Sequence, residues 1–363
     1  YNWLATREKW RTLLWQSVAG LFHCNTVQNL PSDAARGLYF KNGRLRGSVT
    51  RFEGYNACPF KYFACYGLRL QPRSVAKLKS PDFGQFMHAV LKVFGDELRA
   101  EGRQWSSLDM RETAERCERI TESLAPRLQN EILLSSPHYR HIQKRLAATA
   151  ACSLNRIIGF TANSAFSPFM LEQSFGRGAG GWPALEMKSA SGLTVELAGQ
   201  IDRLDKAVHE EQEYLLVVDY KTGQASLALS DVVYGLKLQL LTYLMAACTL
   251  SGGEPLPAGA LYAFVKNPRI ADKKMLTAEE IEAELCKSFK MPGWVLADTQ
   301  IVKLLDESID GWSNFIRVWM KNDKFRTDFA GVKTLEEFSR LIEHVKETVL
   351  KAAEEIAASK VSI

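Results

Sequence analysis

Hydrophobic and polar positions along this chain repeat first with a helical period and then, after about Ala162, with a strand period. Leu4–Leu21 places Trp10, Leu13, Leu14 and Val18 at helical spacing, and helical patterns recur over Asp82–Arg103, Arg111–Leu134 and His138–Ala162. Phe169–Phe175, Leu193–Asp205 and Tyr214–Lys221 are rich in branched or alternating residues and predict strands, with polar Lys206–Glu213 as the hairpin connection between the last two. The clustered glycines of Gly176–Trp182 predict a loop. A long helix over Ser230–Leu250 and a strand over Ala258–Lys266 come next, then helices over Ala278–Ser288, Thr299–Lys321 and Thr334–Ser359. This order predicts an α/β fold with a mixed central sheet flanked by helices.

With 363 residues, 46% of them hydrophobic and 24% charged, the chain is long enough for a sizeable core and for two lobes or one heavily inserted domain. The formal net charge of +5 permits an anionic partner without requiring one. No apolar run reaches the roughly 18 residues of a membrane span, and no secretory leader is visible, so no membrane partner is expected. Seven scattered cysteines without a C-x-x-C pair argue against a disulfide framework and for a reducing, cytoplasmic setting. The chain opens at Tyr1 and stops at Ile363 straight after a helical pattern, which reads as a piece of a longer protein.

Composition shifts locally over Lys41–Lys79, where nine Lys or Arg and the single acid Glu53 interleave with Phe52, Tyr55, Phe60, Tyr62, Phe63 and Tyr66. Such a stretch suits a nucleic-acid surface, and equally a solvated basic face over an aromatic core.

The chemistry concentrates at Val217-Val218-Asp219-Tyr220-Lys221-Thr222-Gly223. Alternation puts Leu215, Val217, Asp219 and Lys221 on one face, so an apolar strand ends in a carboxylate and an ammonium before a glycine turn. Hairpin pairing with Gly199-Gln200-Ile201-Asp202-Arg203 brings Asp202 near Asp219. Two buried carboxylates repel and are costly to desolvate unless a cation neutralises them. Hard oxygen ligands suit Mg²⁺ or Mn²⁺, and such an ion beside a lysine suits phosphodiester hydrolysis. Alternatively, Asp219 with Lys221 and Asp202 with Arg203 form ordinary strand-end ion pairs.

Other residues are ambiguous by themselves. Gln239 and Tyr243 lie four apart on one helix face and could contact a phosphate or simply pack. His88, in Phe83-Gly84-Gln85-Phe86-Met87-His88, is a metal-ligand type but could be structural, and Glu172 could be an ion-paired surface acid. The chain has neither a G-x-x-x-x-G-K-[ST] loop nor an H-E-x-x-H helix, so neither ATP hydrolysis nor zinc-protease chemistry is expected.

Taken in order, Gly84…His88, Glu172, Gly199-Gln-Ile-Asp202-Arg, Asp219-Tyr-Lys221 and Gln239-x-x-x-Tyr243 resemble the RecB-like nucleases of the PD-(D/E)xK superfamily. Ser48–Phe63, in which Cys58 precedes Pro59-Phe60, adds to the resemblance, which spans about Ser48 to Lys266. It implies a restriction-endonuclease-like α/β core over about 169–266, with helical insertions and C-terminal helices. His88, Asp202, Asp219 and the Tyr220 carbonyl match metal ligands, Lys221 the catalytic lysine, Glu172 the acid of the first core strand, and Gln239 and Tyr243 the Q-x-x-x-Y pair.

The implied activity is Mg²⁺- or Mn²⁺-dependent exonuclease cleavage of single-stranded DNA within a bacterial helicase–nuclease of double-strand-break repair, partnered by an AddA-like helicase subunit. A cysteine matching Cys58 would join three near the C-terminus of the full-length protein in a [4Fe–4S] cluster. No cysteine follows Cys286, so that cluster is not expected in this chain. Residues 1–46 are then an extension from a preceding domain and 47–363 the nuclease domain. The competing expectation is a catalytically silent DNA-binding and subunit-docking module.

Overall fold

A six-stranded mixed sheet forms the centre of the fold, seen in a computed structural model. The structure describes residues 2–22, 29–71, 73, 78–127, 133, 136–178, 180–270, 276–326 and 331–361.

The chain begins with Asn2–Ala5 (α1), Glu8–Leu21 (α2) and Ser32–Tyr39 (α3), then the hairpin Phe40–Lys41 (β1) and Arg44–Gly47 (β2). Val49–Ala57 (α4) and Pro59–Tyr62 (α5) run into a π-helical turn at Phe63–Gly67. Three long helices follow, Ser80–Ala100 (α6), Met110–Leu124 (α7) and Pro137–Ala162 (α8). The strand region holds Ser167–Phe175 (β3), Leu185–Lys188 (β4), Thr194–Leu197 (β5), Gly199–His209 (β6) and Gln212–Lys221 (β7). Leu229–Val233 (α9) and Gln239–Leu250 (α10) lead to Leu256–Phe264 (β8), and Ala278–Phe289 (α11) to Gly293–Leu296 (β9). Thr299–Leu305 (α12), Gly311–Trp312 (β10), Trp319–Lys321 (β11), Lys324–Phe325 (β12), Val332–Lys333 (β13) and Leu335–Ala357 (α13) complete it.

The central sheet has the order β13-β9-β8-β7-β6-β3. The β7/β8 and β9/β13 pairs are parallel and the others antiparallel. β7 and β8 are buried along most of their length, as their near-continuous apolar runs require of strands covered on both faces. A parallel pair needs a crossover, and α10 supplies it with Leu240, Leu241 and Leu244 buried. The crossover sets the C-terminal end of β7 against the N-terminus of α10, where Lys221 meets Gln239. The fold is thus the expected restriction-endonuclease-like α/β architecture. Among the described residues, no helix is long and apolar enough to cross a membrane.

Several expected elements are divided. The strand over Leu193–Asp205 is two strands in two sheets, because β5 joins the order β1-β2-β5-β4 while β6 joins the central sheet. The break falls at Ala198, and at Gly199, the first residue of β6, a Cβ would come within 2.6 Å of the Phe175 ring. The connection placed at Lys206–Glu213 is mostly strand, since pairing continues to His209↔Gln212 and leaves Glu210-Glu211, both at positive φ, as the turn. The helix over Ser230–Leu250 breaks at Gly235, whose φ of +70° stops α9 and lets Asn56 donate to its carbonyl.

The helix over Thr299–Lys321 ends at Leu305. There Asp306 turns away to accept hydrogen bonds from the Ser308 N–H and Oγ, and Gly311 at φ +104° opens the small sheet β10-β11-β12. The helix over Arg111–Leu134 ends at Leu124, because Pro126 follows in a 3₁₀ turn, and its expected end at 128–132 and 134 lies outside the described residues. Position 179 of the expected loop Gly176–Trp182 and Cys24 lie outside them too. The expected division at 46/47 falls inside β2.

Candidate metal and phosphodiester site

The site is built at one end of three adjacent strands, β3, β6 and β7, with α6 laid across it. From α6, His88 points its Nδ1 at two carboxylates, 3.3 Å from Asp202 Oδ1 and 3.5 Å from Glu172 Oε1. One ligand atom from each of His88, Glu172 and Asp202 lies within 4.8 Å of the other two. Glu172 reaches this point with φ +50° inside β3, a left-handed conformation costing a non-glycine residue about 1–3 kcal/mol and typical of functional positions. Gln200 Nε2 donates to Glu172 Oε2 at 2.6 Å and fixes the carboxylate.

The register Arg203↔Val218 makes Asp202 and Asp219 neighbours across the hairpin, as alternation predicts. Asp202 Oδ2 accepts the Tyr220 N–H at 2.7 Å. Asp219 does not join the three-residue cluster; its Oδ2 lies 2.5 Å from Lys221 Nζ as an ion pair without hydrogen-bond alignment. Lys221 Nζ donates to Gln239 Oε1 at 3.0 Å, and Gln239 Nε2 donates to Tyr243 Oη at 3.1 Å. The i, i+4 pair of α10 therefore holds the ammonium rather than merely packing.

Electrostatics at the site are unbalanced. Among the described residues, Glu172, Asp202 and Asp219 pair directly with His88 and Lys221 alone, and the Lys92 charge acts on Glu172 from further off. Burial, then repulsion from Asp202, pushes the Asp219 carboxyl up to about 7 against the pull of Lys221. Burial raises Glu172 as well, opposed by His88. Burial disfavours charge on His88, but Asp202 and Glu172 outweigh it and push the imidazole up to about 10. Burial carries Tyr243 up to about 12, so it acts as a neutral hydroxyl. Glu172 Oε1 and Asp219 Oδ2 are buried without a hydrogen bond. Glu172 Oε1 beside the His88 imidazole and the Asp202 carboxylate forms a hard donor set that fits a divalent cation.

Cys58 stands apart. Its Sγ accepts the Lys61 N–H at 3.4 Å, and among the described residues it belongs to no group of three metal-ligand side chains. A four-iron cluster takes four thiolates, so the donors placed around Cys58 do not fit one. In the basic segment, Phe52, Tyr55 and Tyr62 are buried and Arg51 lies over the Tyr62 and Tyr66 rings, so much of its aromatic content is core. Residues 72 and 74–77 of that segment lie outside the described residues.

Two further residues serve the site in roles not assigned from the sequence, although Gln200 lies within the Gly199–Arg203 motif. One is Gln200, behind Glu172. The other is Glu53, whose Oε1 accepts the Leu238 and Gln239 N–H groups at 2.6 and 2.9 Å and so caps α10. Nothing local marks Glu53 as a cap, because it works from another helix.

A buried acid-rich strand end, a lysine two residues on and a crossover helix that holds it define the PD-(D/E)XK nuclease arrangement. Residues 46–363 match the PD-(D/E)XK nuclease superfamily, and the chain belongs to it. Over its whole length the chain is 39% identical to the B-subunit of the ATP-dependent helicase/deoxyribonuclease of Desulforudis audaxviator and 38% identical to that of Pelotomaculum thermopropionicum, covering 31% and 32% of those proteins. It is 40% identical to the Bacillus subtilis protein of the same name over 95% of this chain and 30% of that protein. The chain spans about a third of the length of the curated relatives it matches.

Proposed function

We propose that this chain is the nuclease domain of an AddB-like helicase–nuclease subunit, cutting single-stranded DNA with Mg²⁺ or Mn²⁺ in double-strand-break repair. The observation that carries the reading is the acidic centre of Glu172, Asp202 and Asp219, which among the described residues pairs directly with His88 and Lys221 alone. His88, Asp202, Asp219 and the Tyr220 carbonyl, with Glu172 alongside, would hold the ion. When bound there, it supplies polarisation of the scissile phosphate and a more acidic water.

The protein's own groups do the remaining work. Lys221 Nζ, steered by Gln239, orients the attacking water and offsets charge developing on the phosphate oxygens. Tyr243 keeps the Gln239 amide turned so that its oxygen faces Lys221. Glu172 and Asp202 set the His88 ring, so Nδ1 faces the centre.

Residues 47–363 form the nuclease domain in this reading, and 1–46 an extension from a preceding domain. The proposed setting is the bacterial cytoplasm with an AddA-like helicase subunit, following the names of the relatives.

The test is cleavage of end-labelled single-stranded DNA in Mg²⁺ or Mn²⁺ against EDTA, beside Lys221→Ala. The expected result is metal-dependent cutting that falls by about 10³-fold in the variant. A folded protein that binds the strand but cuts it in neither metal would instead be a silent binding module.

A further inference from the structure

An open groove of about 1080 Å³ runs from the end of β7, lined by Lys221, Lys237, Lys266, Lys287 and Arg317. Its single acid, Glu53, is occupied with the N-terminus of α10. Lys221, Lys237 and Lys287 pair with Asp219, Asp231 and Glu284. Lys266 and Arg317 have no carboxylate partner among the described residues. Burial and the facing Arg317 charge both lower the Lys266 ammonium pKa.

The fold nevertheless fixes both backbones. The Lys266 N–H donates to the buried Ser153 Oγ at 3.0 Å, and the same hydroxyl donates to the Lys266 carbonyl at 3.1 Å. Lys266 Nζ is held 4.3 Å from the centre of the Phe264 ring. The Arg317 N–H donates to the Met291 carbonyl at 3.2 Å, and the residues before it are turned by Ser313 Oγ, which accepts from Phe315 and Ile316. Two like charges brought to one groove by fixed backbones repel, a cost that a bound anion removes.

Position relates the pair to Lys221. Phe264 pairs with Lys221 across β7/β8, and Lys266 lies two residues past the end of β8, a backbone step of at most roughly 7 Å. That step is comparable with the separation of neighbouring phosphates in a single nucleic-acid strand.

We propose that Lys266 and Arg317 form a second phosphate-binding site, which holds a phosphodiester next to the scissile one in a single strand lying along the groove from Lys221. The identity of the ligand rests on the nuclease reading above; the geometry of the site does not.

The test is anisotropy titration of a labelled single-stranded oligonucleotide in EDTA over a salt series. It compares the protein, its Lys266→Gln/Arg317→Gln variant, and a Lys188→Ala/Lys351→Ala control that removes two charges outside the groove. Glutamine keeps part of each side-chain stem and removes only the charge. The groove variant should bind roughly 10-fold more weakly, with a log–log salt slope shallower by about 0.7 for each phosphate no longer neutralised, and the control should follow the parent.

In Mg²⁺ the variant's KM for the oligonucleotide should rise by a similar factor with kcat nearly unchanged. Parent-like affinity and slope in the groove variant overturn the site, even if the parent cuts DNA. Binding that depends on the pair, in a protein that cuts nothing, keeps the site and overturns the nuclease reading. A parent that binds no strand overturns both.

Discussion

Strand β6 carries two buried ionic clusters on opposite faces, and their difference separates structure from function. On one face Arg203 makes a two-pronged pair with Asp205, at 2.7 Å from Nε and 2.7 Å from Nη2, donates to Thr161 Oγ1 and lies over the Trp105 ring. Both charges are fully buried, opposite in sign and close to self-sufficient, with Nη1 alone lacking a hydrogen bond. On the other face Asp202 joins Glu172 and Asp219 with two cations for three carboxylates. Burial of charge alone therefore does not mark a site. What marks it is charge that the protein leaves unbalanced and carboxylate oxygens held in ion pairs without an aligned hydrogen bond.

Truncation should affect the two faces with opposite sign. Asp205→Ala strands the Arg203 guanidinium in the core and should cost about 3–5 kcal/mol in urea unfolding. Asp219→Asn should instead gain about 1 kcal/mol in EDTA at pH 8, because it removes a repelled, desolvated carboxylate, and should abolish cleavage when Mg²⁺ or Mn²⁺ is supplied. The sign follows from the folded pKa of about 7 lying above the unfolded value near 3.9. The native carboxyl holds its proton longer, so its destabilising effect grows between about pH 4 and 7 and is absent below. An asparagine gain that is flat with pH, or a loss of stability at pH 8, would show that the acidic face is balanced after all.

A smaller effect tests the cation itself. At a free Mg²⁺ or Mn²⁺ concentration near 100 times its Kd, the protein should gain about 2.7 kcal/mol. His88→Ala and Asp202→Ala should lose most of that gain, and variants on the Arg203 face should keep it. Equal stabilisation of His88→Ala and parent by either ion, followed by thermal melting, would remove His88 from the ligand set.

Much of this contrast is readable before folding, for a geometrical reason. Strand alternation puts Asp202 and Arg203 on opposite faces, and hairpin pairing brings Asp202 to Asp219, so the centre follows from local rules. The i, i+4 spacing of Gln239 and Tyr243 likewise carries over directly to the hydrogen-bonded pair behind Lys221. Local rules fail where a distant side chain decides. The Leu193–Asp205 alternation continues through Ala198, and the break appears only once β5 and β6 have joined different sheets and the Phe175 and Tyr243 rings have packed against Gly199. The apolar pattern after Thr299 continues past Asp306, whose turn appears only in the folded chain. Lys266 and Arg317 are 51 positions apart in the numbering and face one groove only after β8 and the loop before β11 have packed. The left-handed Glu172 has no sequence signature, since glutamate is not a residue that favours it.

The smallest effect concerns the cap that ties the basic segment to the acidic centre. Leu238 offers no side-chain cap to α10, and Glu53 from α4 takes that place by accepting two backbone N–H groups. Burial raises its carboxyl, while those N–H groups and Lys221 favour the charged form, as expected beside a helix N-terminus. Glu53→Ala should cost about 1 kcal/mol, the usual value of an N-cap, and Glu53→Gln less because an acceptor remains. Since α10 carries Gln239 into contact with Lys221, the alanine variant should also lower kcat several-fold with little change in KM, and glutamine should restore most of it. A drop of 1 kcal/mol with kcat untouched would mean that the cap serves the helix alone and that Lys221 does not depend on where α10 begins.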